Sequence, residues 1–125
     1  MAKILVVDDQ ENIARLCKTV LVHHGHMVIV ASGRERFLEA IRKENYDILL
    51  VDLRMPDMHG IECSQIARDH QSAIGIILMT GSFDWSEKEK EWIRSIPSRI
   101  LFKPFGPKDL EEAVESYLKR FKPGS

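Results

Sequence analysis

The stretch KILVVDD (residues 3–9) carries an apolar run directly into two adjacent carboxylates. The run Ile4–Val7 is continuous rather than alternating, which is typical of a strand buried on both faces of a parallel sheet. Two like charges side by side at the end of such a strand repel each other. We therefore expect a compensating positive charge opposite Asp8 and Asp9.

Four further runs of this kind follow, separated by stretches with the periodicity of amphipathic helices. Ile13, Leu16, Cys17 and Val20, for example, have the spacing i, i+3, i+4, i+7 of a helix face. This alternation predicts an α/β fold, (βα)5, with a doubly wound, parallel, five-stranded sheet. The predicted strands are Lys3–Val7, Met27–Ala31, Asp47–Val51, Ile74–Met79 and Ser98–Phe102.

Local signals predict where several helices begin. Ser32 with Glu35, and Ser86 with Glu89, have the spacing of a capping box at the second and fourth helices. Pro107 suits the first turn of the last helix, where its missing N–H leaves no bond unmade.

The fourth helix, predicted over residues 85–94, is unusually polar. Its charged run, residues 86–91, predicts a solvated face, and Trp85 and Trp92 are spaced to pack on one side of the helix.

Composition predicts one globular domain. The chain has 125 residues, of which 44% are hydrophobic and 30% charged, and its formal net charge is -1. This balance does not favour direct binding to nucleic acid or to a membrane, and no secretory signal pattern is present, so we expect a cytoplasmic protein. Cys17 and Cys63 are expected to be reduced core residues. The domain is predicted over residues 1–121, with 122–125 a tail or the start of a linker.

Polar side chains follow four of the five predicted strands. Asp8 and Asp9 follow the first, Asp52 the third, Thr80 the fourth and Lys103 the fifth. Parallel sheets of this class place their sites beyond the carboxyl ends of the strands. Three carboxylates, a hydroxyl and an ammonium are therefore expected to converge at one edge, although each residue alone is more often a cap, turn or solvated residue.

This set of groups suits phosphoryl transfer. Hard oxygen ligands favour Mg²⁺ over Zn²⁺, and a bound cation lets one carboxylate stay ionised and attack a phosphoryl group. Asp52 is the expected nucleophile because it stands alone on the central strand before a stiff turn. Lys103 would neutralise charge on the transferring oxygens, and Thr80 would donate a hydrogen bond to one of them.

Four blocks, each at a strand end and in this order, together resemble the receiver domain of two-component response regulators, which has a flavodoxin-like fold. The resemblance covers essentially the whole chain. The blocks are Asp8-Asp9; Asp52 with Met55-Pro56 and Gly60; Thr80-Gly81; and Lys103-Pro104-Phe105.

The resemblance implies that Asp52 accepts a phosphoryl group from a phosphohistidine of a sensor histidine kinase or histidine phosphotransfer protein. It implies Mg²⁺ held by Asp9 and Asp52 directly, by Asp8 through water, and by the backbone carbonyl of Arg54. Phosphorylation would switch the surface of the fourth helix, fifth strand and fifth helix, which would control a fused output domain, a partner or a homodimer. The chain would be a signalling phosphoacceptor and not a turnover enzyme.

One position departs from the family pattern: Ile100 stands where relatives usually have an aromatic residue, three positions before the lysine. An isoleucine has no ring to rotate, so we expect the loop after Thr80 and the fourth helix to carry the switch, with Trp85 as the moving group.

Three other functions are less well supported. A flavin-binding module would need a phosphate-binding loop after the first strand, where Asp8 and Asp9 would repel phosphate. An aspartate-dependent phosphatase would need an acid two residues after Asp52, where Arg54 cannot donate a proton. A degenerate receiver, used as a binding surface alone, would not need all five key groups.

Overall fold

The computed structural model describes residues 1–95 and 98–121, in which strands and helices alternate as predicted. The third and fourth strands begin and end one residue later than expected. The predicted tail, 122–125, lies outside the described residues. The strands are β1 (Lys3–Val7), β2 (Met27–Ala31), β3 (Ile48–Asp52), β4 (Gly75–Thr80) and β5 (Ser98–Phe102). The helices are α1 (Glu11–His23), α2 (Arg34–Lys43), α3 (Gly60–His70), α4 (Glu87–Ser95) and α5 (Pro107–Phe121).

The strands form one parallel sheet in the order β2-β1-β3-β4-β5. The chain moves from β1 to one side to form β2, and then continues on the other side with β3, β4 and β5. The strand order therefore reverses between β1 and β3, which is where sheets of this class place a site. In register, Val7 lies beside Val51, so Asp8 and Asp52, the next residue on each chain segment, start from neighbouring positions.

Both faces of the sheet are covered, which explains the continuous apolar runs. In β1, Ile4 and Val6 face one core cluster, whereas Leu5 and Val7 face the other. Helices α1 and α5 cover the first face, and α2, α3 and α4 cover the second. Within the described ranges, no helix has the length and apolar character needed to cross a membrane.

Helix starts agree with the sequence at one predicted capping box and disagree at the other. Ser86 and Glu89 exchange the two expected hydrogen bonds, with N···O distances of 2.7 and 3.1 Å. The prediction for Ser32 and Glu35 is wrong: Gly33 is the N-cap of α2, and no side chain within that turn caps it. Instead, Asp57 Oδ2 accepts the Arg34 N–H at 2.9 Å.

Helix α4 also differs from its prediction. It begins at Glu87, so Trp85 lies in the preceding loop and does not share a helix face with the buried Trp92. Glu89 is 7% exposed, so the prediction of a wholly solvated charged face is wrong at that residue.

Cys17 and Cys63 are free thiols in the two core clusters, as predicted. Burial raises the pKa of each thiol to about 12, so both stay protonated at neutral pH.

Gly60 allows α3 to start close to the end of β3. A Cβ atom on Gly60 would lie 2.5 Å from the backbone oxygen of Asp52 and 2.8 Å from the Cα of Leu53. These are backbone atoms, which cannot yield as a flexible side chain would. We expect Gly60→Ala to lower the free energy of unfolding by about 2 kcal/mol or more in urea titrations.

Gly106→Ala is the matched control, because its Cβ would lie 3.8 Å from the nearest side-chain atom, Asp109 Oδ2. That change should be neutral or slightly stabilising. Equal effects of the two substitutions would contradict the close approach at Gly60.

Candidate functional site

Three carboxylates meet at the carboxyl edge of the sheet, beside the point where strand order reverses. One carboxylate oxygen from each of Asp8, Asp9 and Asp52 lies within 4.8 Å of the other two. Asp8 is fully buried, Asp52 is 8% exposed, and Asp9 is exposed to solvent. The predicted cluster of acids is therefore present, and one side of it is open.

Lys103, directly after β5, provides one of the positive charges expected opposite Asp8 and Asp9. Its Nζ donates to Asp8 Oδ2 at 3.0 Å and lies 3.3 Å from Asp52 Oδ1. It also donates to Gln10 Oε1 at 3.3 Å. Gln10 was not predicted as a site residue, since an amide beside two aspartates resembles an ordinary start of a helix. Asp8 Oδ1 in turn accepts the Gln10 N–H at 2.9 Å.

One ammonium does not offset three carboxylates. Burial and the charge of Asp8 raise the pKa of Asp52, even though Lys103 acts in the opposite direction. Burial alone would lower the pKa of Lys103, but its hydrogen bond with Asp8 and the charges of Asp8 and Asp52 raise it overall. Lys103 is therefore firmly cationic, and the site has unbalanced negative charge that a divalent cation would relieve.

Thr80 lies at the end of β4 and is 3% exposed. Its hydroxyl donates to the Ser82 carbonyl at 3.3 Å and accepts the Ser82 N–H at 3.2 Å. The same carbonyl accepts the Trp85 Nε1–H at 2.8 Å. Thr80 therefore lies at the edge of the site. The Ser82 carbonyl connects it to Trp85, which precedes α4, because both side chains donate to that oxygen.

Arg54 and His59, in the loop after Asp52, form a cluster with Glu89 of α4 that was not predicted from sequence. The Arg54 Nη2 lies 3.0 Å from Glu89 Oε1, and the His59 Nε2 lies 2.8 Å from Glu89 Oε2. The spacing of Ser86 and Glu89 indicated a helix cap, but local sequence could not indicate that Glu89 also binds two residues of another loop.

Comparison with known proteins identifies the family. A family model described as the response regulator receiver domain matches residues 4–115. The chain belongs to this family.

Similar regulators extend well beyond the matched region. A protein named probable transcriptional regulator ycf27, from Porphyridium aerugineum, is 35% identical over 118 residues, which are 94% of this chain and 48% of that regulator. The alkaline phosphatase synthesis transcriptional regulatory protein PhoP of Bacillus subtilis is 30% identical over 123 residues, 94% of this chain and 49% of PhoP. The chain thus spans about half the length of these relatives.

Solved structures agree with the fold. The chemotaxis response regulator CheY4 of Vibrio cholerae is 27% identical with a TM-score of 0.83, over 94% of this chain and 99% of that one. A receiver domain of a Francisella response regulator is 31% identical with a TM-score of 0.81, over 98% of this chain and all of that one. The predictions of a (βα)5 receiver fold and of a response regulator domain are confirmed.

The raised pKa of Asp52 gives a prediction for the metal-free protein. A carboxyl group whose pKa rises on folding lowers stability when it is ionised. This penalty is fully present above the folded pKa and disappears below the pKa of the unfolded chain. In chelator at about pH 7, we expect Asp52→Asn to raise the free energy of unfolding by about 1 kcal/mol. The gain should shrink as the pH falls through the raised pKa of Asp52 and be lost below about 4, the pKa of an aspartate in the unfolded chain.

Asp69→Asn is the control, since Asp69 lies on an exposed position of α3. The free energy of unfolding of this variant should differ little from that of the parent across the same pH range. A gain for Asp52→Asn that is constant across the acid range would contradict an origin in the carboxylate charge.

Proposed function

We propose that the chain accepts a phosphoryl group on Asp52 and thereby acts as the switch of a two-component signalling protein. The observation that carries this proposal is Lys103, whose Nζ contacts the carboxylates of both Asp8 and Asp52 inside a group of three acids. A structural ion pair would need one carboxylate, whereas a site for a phosphoryl group and a cation needs all of these charges.

The proposed reaction is a transfer from a phosphohistidine. An Asp52 carboxylate oxygen attacks phosphorus, an O–P bond forms, and the P–N bond breaks with its electron pair going to the imidazole nitrogen. Lys103 neutralises charge on the transferring oxygens and Thr80 donates a hydrogen bond to one of them. Burial and the neighbouring Asp8 oppose ionisation of Asp52, so its charge needs this support.

The residues present fit Mg²⁺. Asp8, Asp9, Asp52 and the backbone carbonyl of Arg54 would hold it, and all offer hard oxygen atoms. When bound, the ion would neutralise negative charge on the phosphoryl oxygens. Asp8 already accepts from Lys103 and the Gln10 N–H, which suits the role of an outer ligand acting through water. Asp9, which is exposed, suits a direct ligand.

Family membership supports the remaining parts of the proposal. The phosphoryl donor is a sensor histidine kinase or a histidine phosphotransfer protein, and the location is the cytoplasm. Phosphorylation switches the surface of α4, β5 and α5, which controls a fused output domain or homodimer formation. The domain promotes its own phosphorylation and dephosphorylation without acting as a turnover enzyme.

Labelling tests the phosphoacceptor directly. Incubation with acetyl phosphate and Mg²⁺ should add one phosphoryl group to the parent chain, as measured by intact-protein mass. Asp52→Asn should not gain this mass, because the amide is not a nucleophile. Asp69→Asn, on an exposed position of α3, should be labelled like the parent. Undiminished labelling of Asp52→Asn would falsify the assignment.

The switch is proposed to run from Thr80 through Ser82 to Trp85. Drawing the Thr80 hydroxyl toward a phosphoryl oxygen removes one of the two donors from the Ser82 carbonyl. Trp85 also lies parallel to Phe102, at 6.1 Å between ring centroids. A moving loop therefore changes the surroundings of the indole.

Tryptophan emission tests this route. Beryllofluoride with Mg²⁺, which mimics the phosphoryl group, should change the emission of the parent chain. The change should disappear in Trp85→Phe, persist in Trp92→Phe and become several-fold smaller in Thr80→Ala. If it survives in Trp85→Phe, the moving group is elsewhere.

A further inference from the structure

Glu89, in the first turn of α4, is the least exposed charged residue of that helix, and each of its two oxygens has more than one partner. Oε1 accepts the Ser86 N–H at 2.7 Å and Arg54 Nη2–H at 3.0 Å. Oε2 lies 2.8 Å from His59 Nε2 and 3.4 Å from Arg54 Nε. Burial opposes ionisation of Glu89, but the hydrogen bonds from Arg54, Ser86 and His59 outweigh it and lower its pKa to about 2.

The partners of Glu89 lie on the loop that follows the phosphoacceptor. Arg54 comes two residues after Asp52, and His59 is the N-cap of α3. His59 Nδ1 accepts the Ile61 N–H at 3.1 Å, which places the ring proton on Nε2, facing Glu89. His59 therefore donates to Glu89 through one ring nitrogen and caps α3 through the other.

Arg54 also contacts the loop after Thr80. Its Nη2 donates to the Asp84 carbonyl at 2.6 Å. One guanidinium thus joins three segments: the loop after Asp52, the loop after Thr80, and the first turn of α4. Any inward movement of the Thr80 loop displaces the Asp84 carbonyl that this guanidinium holds.

The apolar contacts of α4 are those of Trp92, which lies in a core cluster, and of Ile93, which is partly buried against it. Of the nine residues of α4, all within the described ranges, Glu89 and Trp92 are the buried ones. An ion pair with bidentate character can therefore account for much of the position of the helix, because few apolar contacts compete with it.

We infer that Glu89 is a positioning residue, a clasp with Arg54 and His59 that holds α4 in its resting place and opens when the Asp52 site is loaded. The inference rests on the proposed function and adds the way in which that site is coupled to α4. Because coupling is reciprocal, a contact that favours the resting arrangement must weaken binding of a phosphoryl mimic. Loss of the clasp should therefore tighten that binding, whereas loss of a merely structural contact would weaken it or leave it unchanged.

The test compares Glu89→Gln with Glu87→Gln. Glu87 is on the same helix, its side chain is 88% exposed, and it pairs with Lys90 at 3.4 Å. In Glu89→Gln without ligand, the amides of α4 should exchange hydrogen about tenfold faster than in the control. Binding of beryllofluoride with Mg²⁺, followed by fluorine NMR of the bound mimic, should reach half-saturation at a concentration about fivefold lower.

Arg54→Met provides a second variant that leaves the Ser86–Glu89 capping box and the Arg54 backbone carbonyl in place. It should also speed hydrogen exchange in α4 and tighten binding of the mimic. The variant with both Glu89→Gln and Arg54→Met should show less than the sum of the single effects, because the two residues act together. If Glu89→Gln fails to fold, Arg54→Met alone decides the outcome. Exchange equal to that of Glu87→Gln, or half-saturation at an unchanged or higher concentration, would overturn the inference.

Failure of the proposed function is a separate result. It would appear as a parent chain that acetyl phosphate does not label at Asp52. The ligand-free exchange of α4 would still report on the clasp in that case. Conversely, normal labelling of the parent with no effect of Glu89→Gln would reject the clasp and leave the phosphoacceptor assignment intact.

Discussion

Repulsion among the carboxylates of Asp8, Asp9 and Asp52 is the constraint around which the carboxyl edge of the sheet is organised. Within the described residues, the ammonium that contacts these acids is that of Lys103, and the pKa of Asp52 stays raised despite it. The domain thus keeps an excess of negative charge at a partly buried site, which lowers the free energy of unfolding. A cation would relieve that excess, and this is the basis on which we propose the site for Mg²⁺ and a phosphoryl group.

Much of this could be predicted from sequence because the fold places strand ends together. Continuous apolar runs indicated a sheet covered on both faces. Each polar residue that directly follows such a run was then expected at the carboxyl edge of that sheet. What local patterns could not provide was the identity of partners distant in sequence. Asp57 caps α2 from 23 positions away, and Glu89 binds residues 30 and 35 positions earlier. Ser32 had the right spacing for a cap, but tertiary structure supplied a better acceptor.

The substitution at Ile100 is accompanied by aromatic residues close by. Phe102 is two residues further along β5 and therefore on the same side of the strand. Its ring stacks on Phe83 at 4.5 Å and on Trp85 at 6.1 Å between centroids. The aromatic side chains thus lie on the loop after Thr80 and at the end of β5. Position 100, where relatives usually have an aromatic ring, carries none. Movement of the loop itself can then alter the exposed surface.

The polar character of α4 is consistent with the proposed movement of this helix. A helix held by apolar contacts leaves a cavity when it moves, and such cavities cost several kcal/mol. Hydrogen bonds and ion pairs can instead be exchanged for contacts with water at a net cost of about 1 kcal/mol each. Glu89 contacts Arg54, His59 and Ser86 through one carboxylate, so a small displacement can break several contacts together. This restraint by one carboxylate is what the proposed switch needs: a helix that stays in place at rest and is released when the site is loaded.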